Sequence, residues 1–157
     1  MELIGKTTIN PFIFYSGKIA GYFTWIVLLL MLFKINLVER ISNIYSEYFS
    51  YATLATGLLF VAVSLINLGR STRLGIPTDF TVLKTNGLYR ISRNPMYLGF
   101  NLLTISSMTY TLNIWIILPG IYSIVVYHLI ILGEEKFLEN RFRKDYTNYK
   151  KRVRRYL

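Results

Sequence analysis

The chain has no cysteine and a single histidine among its 157 residues. Disulfides, thiol nucleophiles and cysteine-based zinc or iron–sulfur sites are therefore excluded, as is any metal site built on clustered histidines. Acidic side chains are scarce too, with Asp+Glu 8 against Lys+Arg 18 and a formal net charge of +10. None of the ten glycines forms a G-x-G-x-x-G fingerprint or a phosphate-cradling loop ending in Gly-Lys-Ser/Thr, which disfavours a Rossmann or P-loop enzyme. There is no long polar tail or low-complexity segment of the kind that stays disordered.

What the chain has in abundance is apolar surface. It is 53% hydrophobic and 16% aromatic, and residues 94–133 form a stretch of forty without one charged side chain. A basic nucleic-acid binder would spread its charge over the fold, whereas a run of this length is long enough to cross a bilayer twice. The reading is an all-α, polytopic membrane bundle forming a single domain over 1–157, with about four transmembrane helices and a C-terminal amphipathic helix. The spans are expected at 19–38, where Lys34 can snorkel to the headgroups, at 48–69, and as a hairpin of 95 to about 110 and 114–133 around the turn-prone Thr111-Leu112-Asn113. The first run does not read as a cleaved signal, because it is too long and no small-residue cleavage pattern follows it.

The positive charge is concentrated: +4 falls in 70–97 and +5 in 134–157. Lys and Arg are retained on the cytoplasmic side, so this loop, the tail and the N-terminus are expected to share that face, in the cell membrane if the source is prokaryotic. Four spans satisfy that parity. In the tail, Leu138, Phe142, Tyr146, Tyr149, Val153 and Tyr156 recur at helical spacing. Such a helix either lies in the interface with its basic face on anionic lipid or covers a cytoplasmic site, and the two are compatible.

Gly17 and Gly21 make a G-x-x-x-G pair that suits close helix approach, either within the chain or in a dimer, with a monomer favoured. His128 is an ionisable group inside the last span, either functional or a neutral side chain with one hydrogen bond. The concentrated polar chemistry lies in 81–97 and at Glu134-Glu135. Asn86-Gly87 signals a turn, and Asn94-Pro95 reads as a helix cap followed by proline at the first helical position. A helix start there presents free N–H groups to an anion, with Arg90 and Arg93 adding positive field or serving as membrane anchors. Glu134 and Glu135 diverge by about 100° on a helix and so are expected to take separate roles. The sketch is a pocket with an anion-binding helix start, aromatic walls from Tyr89 and Tyr97, and one inward carboxylate.

The segment Thr81-Val82-Leu83-Lys84-Thr85-Asn86-Gly87-Leu88-Tyr89-Arg90-Ile91-Ser92-Arg93-Asn94-Pro95-Met96-Tyr97-Leu98-Gly99, followed by Glu134-Glu135 and Tyr146-x-x-Tyr149-Lys150-Lys151-Arg152-Val153, resembles the isoprenylcysteine carboxyl methyltransferase family and, more broadly, the phospholipid methyltransferases. The likeness covers roughly 81–155. It implies S-adenosyl-L-methionine bound in a cytoplasmic pocket between the last helices, with a lipid or lipid-linked acceptor arriving from the bilayer. Carried over by position, the cofactor contacts would come from Thr81, Val82, Leu83, Lys84, Tyr89, Asn94, Pro95, Met96, Tyr97 and Glu134. Arg90, Arg93 and Ile130 would border the substrate.

Two departures bear on the acceptor. Asn94 stands where the family usually has His, and Ile130 stands where enzymes acting on prenylcysteine carry an Arg that meets the substrate carboxylate. Isoprenylcysteine carboxylate thus stays one candidate acceptor beside lipid amines and lipid-linked or small hydrophobic thiols. If the acceptor is an amine, His128 or Glu135 could take its proton. Two other classes stay open: an NADPH-dependent membrane reductase of the sterol type, whose motif is similar, and a non-catalytic lipid-binding module.

Overall fold

The computed structural model describes residues 7–41, 43–69 and 82–157. Among them the chain forms four α-helices, α1 (Pro11–Leu32), α2 (Ile44–Leu68), α3 (Pro95–Thr111) and α4 (Ile114–Arg152), and a short 3-10 turn at Gly87–Arg90. Three of the helices start on an asparagine that satisfies an otherwise unpaired N–H. The side chains of Asn10, Asn43 and Asn113 accept from the backbone N–H of Phe12, Tyr45 and Trp115, each at 2.9 Å.

The Asn10-Pro11 cap moves the first helix eight residues towards the N-terminus of its expected start, and it stops at Leu32 rather than reaching 38. Phe33 and Lys34 bond back to Leu29 and Met31, and Lys34 has a φ of +65°. Lys34 is therefore beyond the helix and not on its last turn. The hairpin between α3 and α4 lies where expected: Leu112 takes the left-handed conformation at φ +46° and Asn113 caps the next helix. The fourth helix does not end at 133. It runs on to Arg152, broken only at Arg143, whose φ of +43° and ψ of −112° are not helical.

Three of the helices, α1, α2 and α4, are long and apolar enough to cross a membrane, and the chain is an integral membrane protein. At 17 residues α3 is about 26 Å long, at the lower end of the roughly 17–25 residues that span a hydrocarbon core. In α4 the apolar part ends at Gly133, and the charged remainder lies beyond it. The outer faces are apolar, with Ile26, Leu59, Ile66 and Leu118 all more than half exposed. The interior carries small hydroxyl side chains instead. Ser50 and Ser106 bond to each other at 3.0 Å, Ser107 donates to the Thr24 carbonyl at 2.6 Å, and the Trp25 indole donates to Thr104 at 2.9 Å. Such packing suits helices in lipid, where association rests on close contact and interhelical hydrogen bonds of about 0.6 kcal/mol each.

Helix α3 occupies the middle, with α2 on one side and the α1/α4 pair on the other. Glycines set the approach. A Cβ at Gly57 would lie 3.0 Å from the Gly99 carbonyl, and one at Gly17 would lie 2.3 Å from Val126 Cγ1. Gly21 likewise faces Ser123, so the G-x-x-x-G pair brings α1 onto α4 of the same chain.

The two ends of the bundle differ. At one, Ile41 N–H donates to the Thr111 carbonyl at 3.1 Å and Asn113 to the Glu39 carbonyl at 2.9 Å, tying the α1–α2 connection over the α3–α4 turn. At the other, the beginning of α1, the segment 82–94 and the chain after Gly133 come together. Thr8 bonds the Ile130 carbonyl at 3.5 Å, and Ser92 pairs with Arg154 in an isolated parallel bridge.

Candidate functional site

The polar end is organised by the tail folding back on the segment before α3. Around the break at Arg143, Leu138, Phe142, Tyr146, Tyr149 and Val153 pack with Leu83. The amphipathic face of the tail thus covers the loop. Tyr149 donates to the Tyr89 carbonyl at 2.5 Å, and its burial pushes its phenol up to about 12. Arg93 N–H donates to the Arg154 carbonyl at 3.0 Å, and the Ser92 hydroxyl to the Arg155 carbonyl at 3.2 Å. Gly87, at φ +62°, forms the turn expected at Asn86-Gly87, and a Cβ there would strike the Asn67 amide of α2 at 2.2 Å.

Glu134 and Glu135 leave α4 in different directions. Glu135 is bracketed by two guanidinium groups, Arg93 at 2.9 Å and Arg155 at 2.9 Å, and Asn94 Nδ2 donates to it at 3.1 Å. Burial alone would raise its carboxyl, but the hydrogen bonds from Arg155 and Arg93 outweigh that and hold it below the ordinary carboxylate value. Glu134 turns to the interior and accepts from the Tyr97 hydroxyl at 2.6 Å. The Lys18 ammonium stands close enough for its charge to act on it, and the Glu134 charge in turn reaches the Tyr89 phenol. Among the described residues, Tyr97 is its hydrogen-bond partner. A half-buried carboxylate with one such bond has most of its acceptor capacity unspent and open to a ligand.

The remaining expected residues fall into place around this centre. Asn94 occupies the cap position of α3 and Pro95 its first turn, but the Asn94 side chain does not cap. It bonds Glu135 and the Arg155 carbonyl instead, so among the described residues no side chain caps the first N–H groups of α3. Pro95 is fully buried and Met96 partly so. Val82 and Lys84 flank Leu83 in a stretch without regular secondary structure; Thr81 lies outside the described residues. Arg93 is a buried tie that also donates to the Val153 carbonyl at 2.8 Å, whereas Arg90 is exposed. Ile130 is fully buried in the cluster of Phe14, Tyr97 and Tyr127, directly below the site. His128 Nδ1 lies 2.6 Å from the Tyr156 hydroxyl, so its hydrogen bond goes to the tail.

Two participants were not singled out from the sequence. Lys18 lies between the two glycines of the G-x-x-x-G pair, and Arg155 is one of nine Lys and Arg in the tail 134–157. A basic residue seven positions into an apolar helix was the available signal for the first; nothing local marked the second.

The phospholipid methyltransferase family matches the chain over residues 45–145, which includes α2, α3, both glutamates and the segment before α3. The chain belongs to the phospholipid methyltransferase family. As a phospholipid methyltransferase family member it falls among membrane methyltransferases, in agreement with the resemblance over 81–155, and the match extends that likeness back through α2. Helix α1 and the end of the tail lie outside the matched range. No curated protein and no solved structure matches the chain.

Proposed function

We propose that this chain uses S-adenosyl-L-methionine to methylate a lipophilic acceptor resident in the bilayer. The observation that carries the reading is the inward, half-buried Glu134 carboxylate, whose hydrogen-bond partner among the described residues is Tyr97, set beside Tyr89 and a start of α3 that no described side chain caps. This donor set fits the cofactor. Glu134 would take its ammonium or ribose hydroxyls, the N–H groups at the start of α3 its carboxylate, and the rings of Tyr89 and Tyr97 its cationic and aromatic parts. Val82, Leu83 and Lys84 would line the cofactor from the loop side, with Thr81 ahead of them, and Asn94, Pro95 and Met96 from the helix start.

Bound there, the cofactor would supply a methyl group on a sulfonium, which passes in line to an unprotonated acceptor and needs alignment and exclusion of water more than a strong base. The protein's own contribution is therefore mostly placement. The Arg93–Glu135–Arg155 cluster holds the tail over the loop. A carboxylate held low by two guanidiniums is a poor proton acceptor, so Glu135 is assigned to holding the tail, and for an amine acceptor His128 is the group left to take a proton. The concentration of positive charge at this end supports a cytoplasmic site with both termini on that side, in a monomer.

The test is to incubate purified protein and methyl-labelled S-adenosylmethionine with a membrane extract and identify labelled products by mass spectrometry. Label in lipid-soluble products that disappears with Glu134→Gln supports the reading. Label confined to water-soluble products, or equal labelling by the variant, removes it.

A further inference from the structure

Lys18 is a partly buried cation inside an apolar helix, and such residues are expensive to keep in a membrane. Its Nζ sits 4.1 Å from the centroid of the Phe14 ring, one turn back along α1. Phe14 packs with Ile130 and Tyr97, so the ammonium lies about one turn of α4 below Glu134. Among the described residues no carboxylate is within ion-pair distance of it, and Glu134 acts on it only from farther away.

A row of rings begins one turn farther along α1. Tyr22, which is 40% exposed on the outer face, lies 5.3 Å from Trp25, Trp25 lies 5.2 Å from Phe100 of α3, and Phe100 lies 6.0 Å from Tyr97. The row therefore runs from the lipid-facing surface, between α1 and α3, to the hydroxyl that bonds Glu134. Aromatic walls with a single cation beside them complement an amphiphile whose apolar chain ends in an oxyanion.

We infer that Lys18 binds an oxyanion of the acceptor lipid, a phosphodiester or a carboxylate, and that this lipid enters between α1 and α3 along the Tyr22–Trp25–Phe100 row. The inference rests on the methyltransferase reading of the Glu134 pocket and names the residue that selects the acceptor there. Lys18 precedes the residues matched to the family, so the selectivity belongs to this chain's own first helix.

The experiment is isothermal titration of the purified full chain in neutral-detergent micelles with dodecyl phosphate, dodecanoate and dodecanol, beside a separate titration with S-adenosylhomocysteine. The inference expects saturable binding of one or both anionic amphiphiles and none of dodecanol. It expects Lys18→Met to weaken the anionic binding at least about tenfold, as loss of a charge-assisted hydrogen bond would, with Lys18→Arg restoring it. The preferred headgroup identifies phosphate or carboxylate as the source. Lys136→Met, at an exposed position past the site, is expected to bind as the wild type does.

Equal binding by wild type and Lys18→Met would overturn the inference and leave Lys18 a snorkelling residue. So would a matching loss in Lys136→Met, which marks general attraction to a basic surface, or a loss of S-adenosylhomocysteine affinity in Lys18→Met with oxyanion binding intact, which would give Lys18 to the cofactor. Failure of the wild type to bind S-adenosylhomocysteine counts against the methyltransferase reading alone; a Lys18-dependent oxyanion site would still stand.

Discussion

Glu134 and Glu135 are neighbours in the chain and opposites in surroundings: the Tyr97 hydroxyl meets the first at 2.6 Å, while Arg93 and Arg155 close on the second at 2.9 Å each. One carboxylate is left with capacity to bind, and the other is spent on holding the tail. Substitution to glutamine should therefore give two different phenotypes. Glu134→Gln is expected to keep the fold and lose S-adenosylhomocysteine affinity by about tenfold or more. Glu135→Gln is expected to lower the thermal midpoint in detergent and to affect binding only through that loosening. Identical effects of the two on both measurements would contradict this division.

The two arginines are also unequal. The Arg93 side chain is 8% exposed and that of Arg155 35%. Breaking a buried pair costs about 3–5 kcal/mol because a charge is stranded, whereas a partly solvated one is worth about 1 kcal/mol or less. Arg93→Ala should therefore lower the unfolding midpoint far more than Arg155→Ala, and a larger drop for Arg155 would show that the cluster is organised differently.

Acid should release the tail. The folded Glu135 carboxyl is held below its ordinary value, so the stability it contributes is fully present above that ordinary value and is lost as the pH falls through the depressed one. Hydrogen exchange of residues 146–155 is expected to speed up on acidification in that range in the wild type, and to show much less pH dependence in Glu135→Gln.

The contact between α1 and α4 can be tested sterically. A methyl added at Gly17 would meet Val126 at 2.3 Å, so Gly17→Ala should destabilise the protein by about 1–3 kcal/mol, and Val126→Ala should recover part of the loss in the double variant. Purely additive effects would mean that the two positions do not touch.

Much of this architecture can be read in the sequence because membrane helices are written as apolar runs. The positions of α2 and α3 and the start of α4 follow from charge-free stretches and from the turn at Thr111-Leu112-Asn113, while the run of α4 on to Arg152 does not. Helix α1 begins ahead of the expected 19 because Lys18 interrupts the apolar run there, while the start is set by Asn10-Pro11, the same pairing as Asn94-Pro95. The site was legible in part. That Glu134 and Glu135 diverge follows from helix geometry, but which one faces inward depends on how α4 is rotated against α3, and no local pattern encodes that. The partnership of Glu135 with Arg155, twenty residues later, requires the chain to turn at Arg143, which has neither glycine nor proline to announce it. Lys18 meets the site only because Gly17 and Gly21 draw α1 against α4.

The central claim is that the polar end of this bundle is a cofactor pocket built on Glu134. Isothermal titration of the purified wild type, Glu134→Gln and Tyr97→Phe with S-adenosylhomocysteine, with NADPH as the competing ligand, tests it most directly. The account predicts one S-adenosylhomocysteine per chain, weakened in both variants and most in Glu134→Gln, and no NADPH binding. Binding of NADPH alone, or S-adenosylhomocysteine binding indifferent to both substitutions, would contradict it.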